Sequence, residues 1–296
     1  MYPQGLSASP CSNYVIHQWR AQGNSGDIKT LYIHIFKHIT PTYKMANILI
    51  LGATRGLGAS LRTLYSKKTA TNVFATSRSS NPEPSPGVTW LTGIDISQPD
   101  VGQKLVSKLP SKKISTVIVS AGYFGFETFD APDWEKQVQM YTTSAIGPVF
   151  VVHNLVKAGL LDQGSKVILI SSESGSITLR HEKEGGGNFG HHASKAALNM
   201  VGKLLSLDLK PQGIAVGLVH PGFMRTEMTR SVGFDKYWDA GGAVTPDEAA
   251  KTLAPFIEEF DLRKTGEFWA PQGPGDIGTA EAVLGEHLPT PLQLPW

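Results

Sequence analysis

The chain has 296 residues, enough to bury a sizeable core in one large domain or two small ones. Its 41% hydrophobic and 18% charged residues are typical of a globular protein, and a net charge of +2 is too small to indicate a nucleic-acid partner. The single cysteine, Cys11, excludes an internal disulfide and suits a reducing compartment, and no apolar run reaches the roughly 20 residues that span a bilayer. We therefore expect a cytoplasmic protein that binds neither membranes nor nucleic acids.

The first 44 residues differ from the rest of the chain. They contain one acidic residue, Asp27, and show no sustained hydrophobic period. A dispensable extension and a targeting segment both stay open, although arginine is scarce for a mitochondrial presequence. We expect a disordered extension over residues 1–44 and one dinucleotide-binding domain over residues 45–296, with Met45 as its start.

From Asn47 onward, short apolar runs alternate with helical patterns. This alternation predicts an α/β fold, a doubly wound parallel sheet with helices on both faces. Strands are expected at residues 48–51, 73–76, 88–91, 116–119, 167–170, 215–219 and 267–269. Helices are expected at residues 57–65, 134–161 and 191–209, and from a capping box at residues 245–248, with a surface loop at residues 79–87.

A glycine-rich loop lies between the first predicted strand and the helix after it. Its glycines have the spacing G-x-x-x-G-x-G. In this position, backbone N–H groups and the helix N-terminus can bind a diphosphate, whereas the same residues elsewhere would predict only a tight turn. The candidate cofactor residues of the loop are Gly52, Thr54, Arg55, Gly56, Leu57 and Gly58.

The end of the second predicted strand indicates which dinucleotide binds. An acidic residue there would favour NAD, but residues 76–79 read Thr-Ser-Arg-Ser. Arg78 and Arg55 can together clamp a 2′-phosphate, and the alternative is that both are solvated surface arginines. We predict NADP(H) as the cofactor.

Four motifs, in this order along the chain, resemble those of the short-chain dehydrogenase/reductase family. They are the glycine loop, Ser120-Ala121-Gly122, the segment His191-His192-Ala193-Ser194-Lys195, and His220-Pro221-Gly222. The resemblance covers about residues 46–272 and implies a Rossmann-like fold with oxidoreductase activity. It also implies cofactor contacts at Asp95, Ile96, Ser120, Ala121, Gly122, Lys195, Pro221, Gly222 and Thr226.

The resemblance also assigns catalytic residues, and two of the four positions have changed. Ser172 matches the serine that hydrogen-bonds the substrate oxygen, and Lys195 matches the lysine that binds the nicotinamide ribose. The family's tyrosine falls on His191, and its supporting asparagine falls on Ser144. One helical turn separates residues 191 and 195, so both side chains should face the same site.

Three interpretations of His191 stay open. The imidazole can serve as a general acid, although a nearby lysine disfavours its charged form and it is shorter than a phenol. It can instead be a polar helix-start residue in a disused pocket, or the site can serve a reaction other than simple carbonyl reduction. Tyr123 and Tyr141 are candidate substitute phenols.

Three further expectations concern the surroundings of the site. The charged segment at residues 180–184, with His181, predicts a solvated face and no metal site. Residues 223–242 lie where the family has its substrate lid. Phe223, Phe234, Tyr237 and Trp238 suggest a small apolar or aromatic substrate, although a core role for two of them is equally compatible with the sequence. The resemblance also implies a homo-oligomer formed through the long helices at residues 134–161 and 191–209.

The function predicted from these observations is an NADP(H)-dependent oxidoreductase that interconverts a carbonyl and an alcohol. Two alternatives stay open. One is a cofactor-binding homologue with little turnover, acting as a sensor or structural protein. The other is a non-redox isomerase or dehydratase on the same fold.

Overall fold

Residues 45–296, the part of the chain that the computed structural model describes, contain one eight-stranded sheet. The strands are β1 (Ala46–Leu51), β2 (Thr71–Ser77), β3 (Val88–Thr92), β4 (Thr116–Val119), β5 (Lys166–Ile170), β6 (Ala215–Val219), β7 (Phe268–Ala270) and β8 (Leu292–Gln293). They lie in the order β3-β2-β1-β4-β5-β6-β7-β8, and only β8 is antiparallel to its neighbour. The predicted extension at residues 1–44 lies outside the described residues and stays a prediction.

The central strands are buried on both faces, as their continuous apolar sequences predict. In β1, Leu49 and Leu51 belong to the core on one face, and Ile48 and Ile50 belong to the core on the other. Alternate side chains of a strand point to opposite faces, so a run without polar residues requires cover on both sides. Helices supply that cover, and the doubly wound fold is confirmed.

Eight α-helices surround the sheet within the described residues. They are α1 (Gly56–Ser66), α2 (Val101–Lys108), α3 (Trp134–Tyr141), α4 (Gly147–Lys157), α5 (Phe189–Leu209), α6 (Glu227–Ser231), α7 (Pro246–Glu259) and α8 (Ala280–Leu284). Thr245 caps α7 in a capping box with Glu248, as predicted. Among these helices, none is long and apolar enough to cross a bilayer.

The predicted helix over residues 134–161 is helical as far as Lys157, but it is not one regular α-helix. A π-helical turn at Thr142–Ile146 separates α3 from α4, and α4 ends at Lys157. Pro148 lies at the start of α4 and has no N–H to donate to Ser144, so the regular hydrogen-bond ladder cannot continue through this point. The eighth strand was also missed, because two residues are too short to give a period.

The parallel topology places the predicted motifs together. Strands β1, β4, β5 and β6 are neighbours, and their carboxyl ends lie at the same edge of the sheet. The strand order reverses between β1 and β4, which is where α/β folds form a ligand crevice. The loops that leave these four strands carry the glycine loop, the Ser-Ala-Gly turn, Ser172 and the His-Pro-Gly segment.

Candidate active site

A cavity of about 730 Å³ lies along this carboxyl edge. It is lined by every predicted cofactor and catalytic residue except Gly58. The segments after all seven parallel strands, β1 to β7, contribute to its walls, together with the first two turns of α5. The predicted residues therefore form one site.

Close packing requires two glycines of the glycine loop. A side chain on Gly52, whose φ is +82°, would lie 2.5 Å from the backbone nitrogen of Ala121, and a side chain on Gly58 would overlap the Gly52 carbonyl. No side chain caps the N-terminus of α1, and its first turn has no acidic residue. The N–H groups at this helix start are thus free to bind an anion.

Polar groups at the other end of this loop fit an adenosine 2′-phosphate. Arg55 and Arg78 both line the cavity. Arg55 Nη1 lies 3.1 Å from Glu227 Oε2, an exposed ion pair that the sequence did not predict. Asp95 lines the same region, but its Oδ1 already accepts hydrogen bonds from Ser97 N at 3.0 Å and Ser97 Oγ at 2.8 Å.

Lys195 and Ser172 have geometries that suit the roles that the sequence predicted. Lys195 is buried, and its Nζ donates to the carbonyl of Ile170, at the end of β5, over 2.8 Å. Burial lowers the pKa of Lys195 to about 8. Ser172 Oγ accepts a hydrogen bond from Ser174 N at 3.2 Å, which leaves its hydroxyl hydrogen available to a substrate oxygen.

His191 lies in the cavity wall one turn before Lys195. Its ring stacks on Phe124, with centroids 4.1 Å apart and planes 23° apart. Nδ1 is buried and has no hydrogen-bond partner among the described residues. Burial and then the Lys195 ammonium hold the pKa of His191 well below its usual value. The imidazole is therefore neutral at pH 7.

The residues that the sequence analysis considered beside His191 differ in whether they line the cavity. Ser144 is buried outside the cavity wall, and its Oγ has no hydrogen-bond partner in the described part of the chain. The wall is formed at this point by Thr143. Tyr123 lines the cavity, whereas Tyr141 does not.

Two polar pairs in the site were not predicted. His220 Nε2 lies 2.8 Å from Asp276 Oδ2, and His220 Nδ1 accepts from the backbone N–H of Glu173 at 3.1 Å. Burial lowers the pKa of His220, but the hydrogen bond and charge of Asp276 outweigh it, and the net shift is upward. Arg180 pairs with Glu173 and, at 3.1 Å, with Glu184, so its charged segment is not simply solvated.

The His220–Asp276 pair escaped the sequence analysis because its members are far apart in the chain. His220 and Asp276 are separated by 56 positions, and no spacing pattern connects them. Within the described residues, no group of three or more His, Cys, Asp or Glu side chains could hold a metal ion.

The lid segment presents an apolar surface to the cavity. Phe223, Phe234 and Tyr237 line it, together with Met224 and Met228. Trp238 does not. Its ring packs between the guanidinium groups of Arg225 and Arg230, with centroid distances of 5.9 and 5.2 Å, and stabilises the lid from within. Trp238 therefore has a packing role, which the sequence left open for two of these four aromatic residues.

Comparison with known proteins agrees with this geometry. The sequence profile described as short chain dehydrogenase matches residues 46–236, more than half of the chain. The chain belongs to the short-chain dehydrogenase family. The 1-hydroxy-2-glutathionyl-2-methyl-3-butene dehydrogenase of Rhodococcus is 25% identical over 226 residues, covering 76% of this chain and 96% of that protein. An uncharacterized oxidoreductase of Saccharomyces cerevisiae is 27% identical over 241 residues, covering 74% and 93%.

Solved structures share the fold of this family member. The NADPH-bound carbonyl reductase from chicken fatty liver has a TM-score of 0.65 at 20% identity, over 77% of this chain and 92% of that one. A short-chain dehydrogenase/reductase from Burkholderia multivorans with bound NADP has a TM-score of 0.61 at 25% identity, over 76% and 96%.

The neutral state of His191 predicts how stability depends on pH. The unfolded chain takes up a proton here near pH 6.5, whereas the native ring does so only well below that pH. As the pH falls below about 6.5, the unfolded state binds more protons, and the native state loses up to about 1.4 kcal/mol per pH unit. His191→Phe removes this contribution, so its free energy of unfolding should fall less steeply than that of the wild type between pH 7 and pH 5.

Urea denaturation at several pH values measures both slopes. Equal slopes for the two proteins would mean that the His191 ring titrates as it does in the unfolded chain.

Proposed function

We propose that this chain is an NADP(H)-dependent oxidoreductase that interconverts a carbonyl and an alcohol on a small apolar or aromatic substrate. One observation carries the proposal. A single cavity holds a glycine loop that fits a diphosphate and, at its other end, Ser172, His191 and Lys195. Apolar lid residues enclose that second end, so a substrate there would be shielded from water.

The choice of NADP(H) rests on charge. Arg55 and Arg78 line the adenosine end, and residues 76–79 contain no acid that would repel a 2′-phosphate. Structures of similar proteins support the assignment, since the titles of three of them state that NADPH or NADP is bound.

Each catalytic candidate has a role that its contacts allow. When bound, the dinucleotide supplies or accepts a hydride. Lys195 is placed to bind the nicotinamide ribose and Ser172 to hydrogen-bond the substrate oxygen. His191, as a neutral ring, is suited to donate a hydrogen bond rather than to act through an imidazolium.

A second candidate function is a cofactor-binding protein with little turnover. It is favoured by the orphaned Ser144 hydroxyl and His191 Nδ1, because the proton relay that the family resemblance implies has lost two of its four members. A non-redox isomerase or dehydratase would require the same cavity but no net change in the dinucleotide.

Hydride transfer separates these functions. We expect the full chain to bind NADPH in the micromolar range by calorimetry and to consume it with at least one member of a panel of aldehydes, ketones and quinones. Loss of absorbance at 340 nm measures consumption, and Lys195→Ala should abolish it. Tight binding without consumption across the panel would favour the second function.

Arg78 offers a test of cofactor choice. The substitution Arg78→Ala removes a charge-assisted contact worth about 1.5–3 kcal/mol. It should weaken NADPH binding roughly 10- to 100-fold and change NADH binding little. Arg263→Ala, which removes an exposed arginine outside the cavity wall, is the matched control. A parallel loss of both dinucleotides in Arg78→Ala would contradict a 2′-phosphate contact.

We also propose that two copies associate through α3, α4 and α5. Large apolar side chains are exposed on these helices and on the π-helical turn between α3 and α4, namely Trp134, Val138, Ile146, Phe150, Met200, Leu204 and Leu207. Exposed apolar side chains that adjoin one another often mark a surface that associates with another protein copy.

The double substitution Met200→Glu/Leu204→Glu should therefore turn a dimer into a monomer in sedimentation analysis. Ile177→Glu, at an exposed position outside these helices, should leave the assembly intact. A monomeric wild-type protein would overturn the proposal.

A further inference from the structure

The position that the family's tyrosine occupies lacks a group that readily gives up a proton. A hydride that adds to a simple ketone carbon leaves an alkoxide, which is about as basic as hydroxide and needs an acid beside it. The hydroxyl of Ser144 is buried without a partner and outside the cavity wall. Lys195 Nζ is held by the Ile170 carbonyl at 2.8 Å. Of these three residues, only His191 lies at the position of the family's tyrosine.

The surroundings of His191 allow it a single proton. An imidazolium has two N–H donors, and Nδ1 lies in a buried place with no acceptor among the described residues. A buried N–H group without an acceptor is rarer than a buried acceptor without a donor, so we assign the one proton to Nε2. A neutral ring of this kind can donate a hydrogen bond to an oxygen anion but does not surrender its last proton.

A conjugated carbonyl avoids the need for this acid. When hydride adds to the β-carbon of an α,β-unsaturated ketone, the negative charge spreads over an enolate instead of resting on an alkoxide. Two hydrogen-bond donors are enough to stabilise such an oxygen anion. The Ser172 hydroxyl and His191 both face the cavity that would hold it.

The cavity wall also suits a flat molecule. Aromatic rings follow one another outward from His191, first Phe124 at 4.1 Å, then Phe234 at 5.5 Å from Phe124, then Tyr237 at 6.1 Å from Phe234. Stacked and edge-on rings at these separations offer contact to a planar conjugated substrate. All four residues line the cavity.

We propose that the substrate is a flat α,β-unsaturated carbonyl compound and that the enzyme reduces its C=C bond, with Ser172 and His191 as the donors to the enolate oxygen. This inference rests on the proposed transfer of hydride from NADP(H), and it replaces carbonyl–alcohol interconversion by reduction of the conjugated C=C bond as the main reaction. The β-carbon gains a hydrogen with its electron pair from NADPH, and the C=C π electrons move to the enolate. A water molecule then protonates the α-carbon and leaves as hydroxide. The substrate is reduced and the dinucleotide oxidised by two electrons each.

Product analysis with trans-4-phenyl-3-buten-2-one and NADPH tests the proposal. The wild type should give the saturated ketone, and it should turn over 4-phenylbutan-2-one at least 10-fold more slowly. His191→Tyr supplies an acid, so it should raise the share of alcohol products at least 10-fold. Allylic alcohol as the main wild-type product, or reduction of saturated but not unsaturated ketones, overturns the inference and leaves the proposed function standing. No NADPH consumption with any carbonyl overturns both.

Binding provides a readout that needs no hydride transfer. In the complex with NADP⁺, 4-nitrophenol should bind as its coloured phenolate, a stable analogue of the enolate, at least 10-fold more tightly than nitrobenzene. Ser172→Ala should weaken phenolate binding about 10-fold and leave nitrobenzene binding unchanged. Equal affinities for 4-nitrophenol and nitrobenzene would show that no anion-stabilising donors face this end of the cavity.

Discussion

The buried ammonium of Lys195, bonded to the last carbonyl of β5, is the interaction on which the chemistry of this site depends. A charge inside a protein is costly unless it is hydrogen-bonded, and the Ile170 carbonyl provides that bond at 2.8 Å. The same ammonium lies one helical turn from His191. Two cations so close in a poorly solvated site would repel each other strongly. Burial and the charge held on Lys195 therefore leave His191 uncharged.

The placement of these two residues follows from how α5 is held. The buried carboxylate of Glu127 accepts a hydrogen bond from Gly190 N in the first turn of α5 and, at 3.0 Å, from Gln137 on α3. It takes the capping role that the Asn188 side chain does not fill. Further along, a side chain on Gly202 would lie 2.7 Å from Leu218 of β6, so the helix sits close against the sheet. Both contacts set the position of the catalytic turn relative to β5.

Much of the fold and the cofactor end could be predicted, because their signals are local. A buried parallel strand is a short apolar run, and a diphosphate loop is a set of glycines between a strand and a helix. The chemical end depends on contacts between distant residues. Phe124 stacks on His191, Asp276 bonds His220, and Glu227 pairs with Arg55 across the cavity. Because their members are distant in the chain, such pairs produce no periodic pattern in the sequence. The π-turn before α4 was missed for a related reason, since Pro148 is also compatible with an ordinary helix start.

The two ends of the cavity tolerate change differently for a physical reason. A diphosphate has one shape, and backbone N–H groups that bind it require glycines and a helix start in a set arrangement. Reacting carbonyl compounds do not share one shape, so they do not require one set arrangement of residues. What such a compound needs is a match between the charge that develops on its oxygen and the groups around that oxygen. Replacing a phenol by an imidazole that cannot be charged removes an acid but keeps a donor. Such a site still polarises an oxygen, and it favours those substrates whose own electrons can hold the charge.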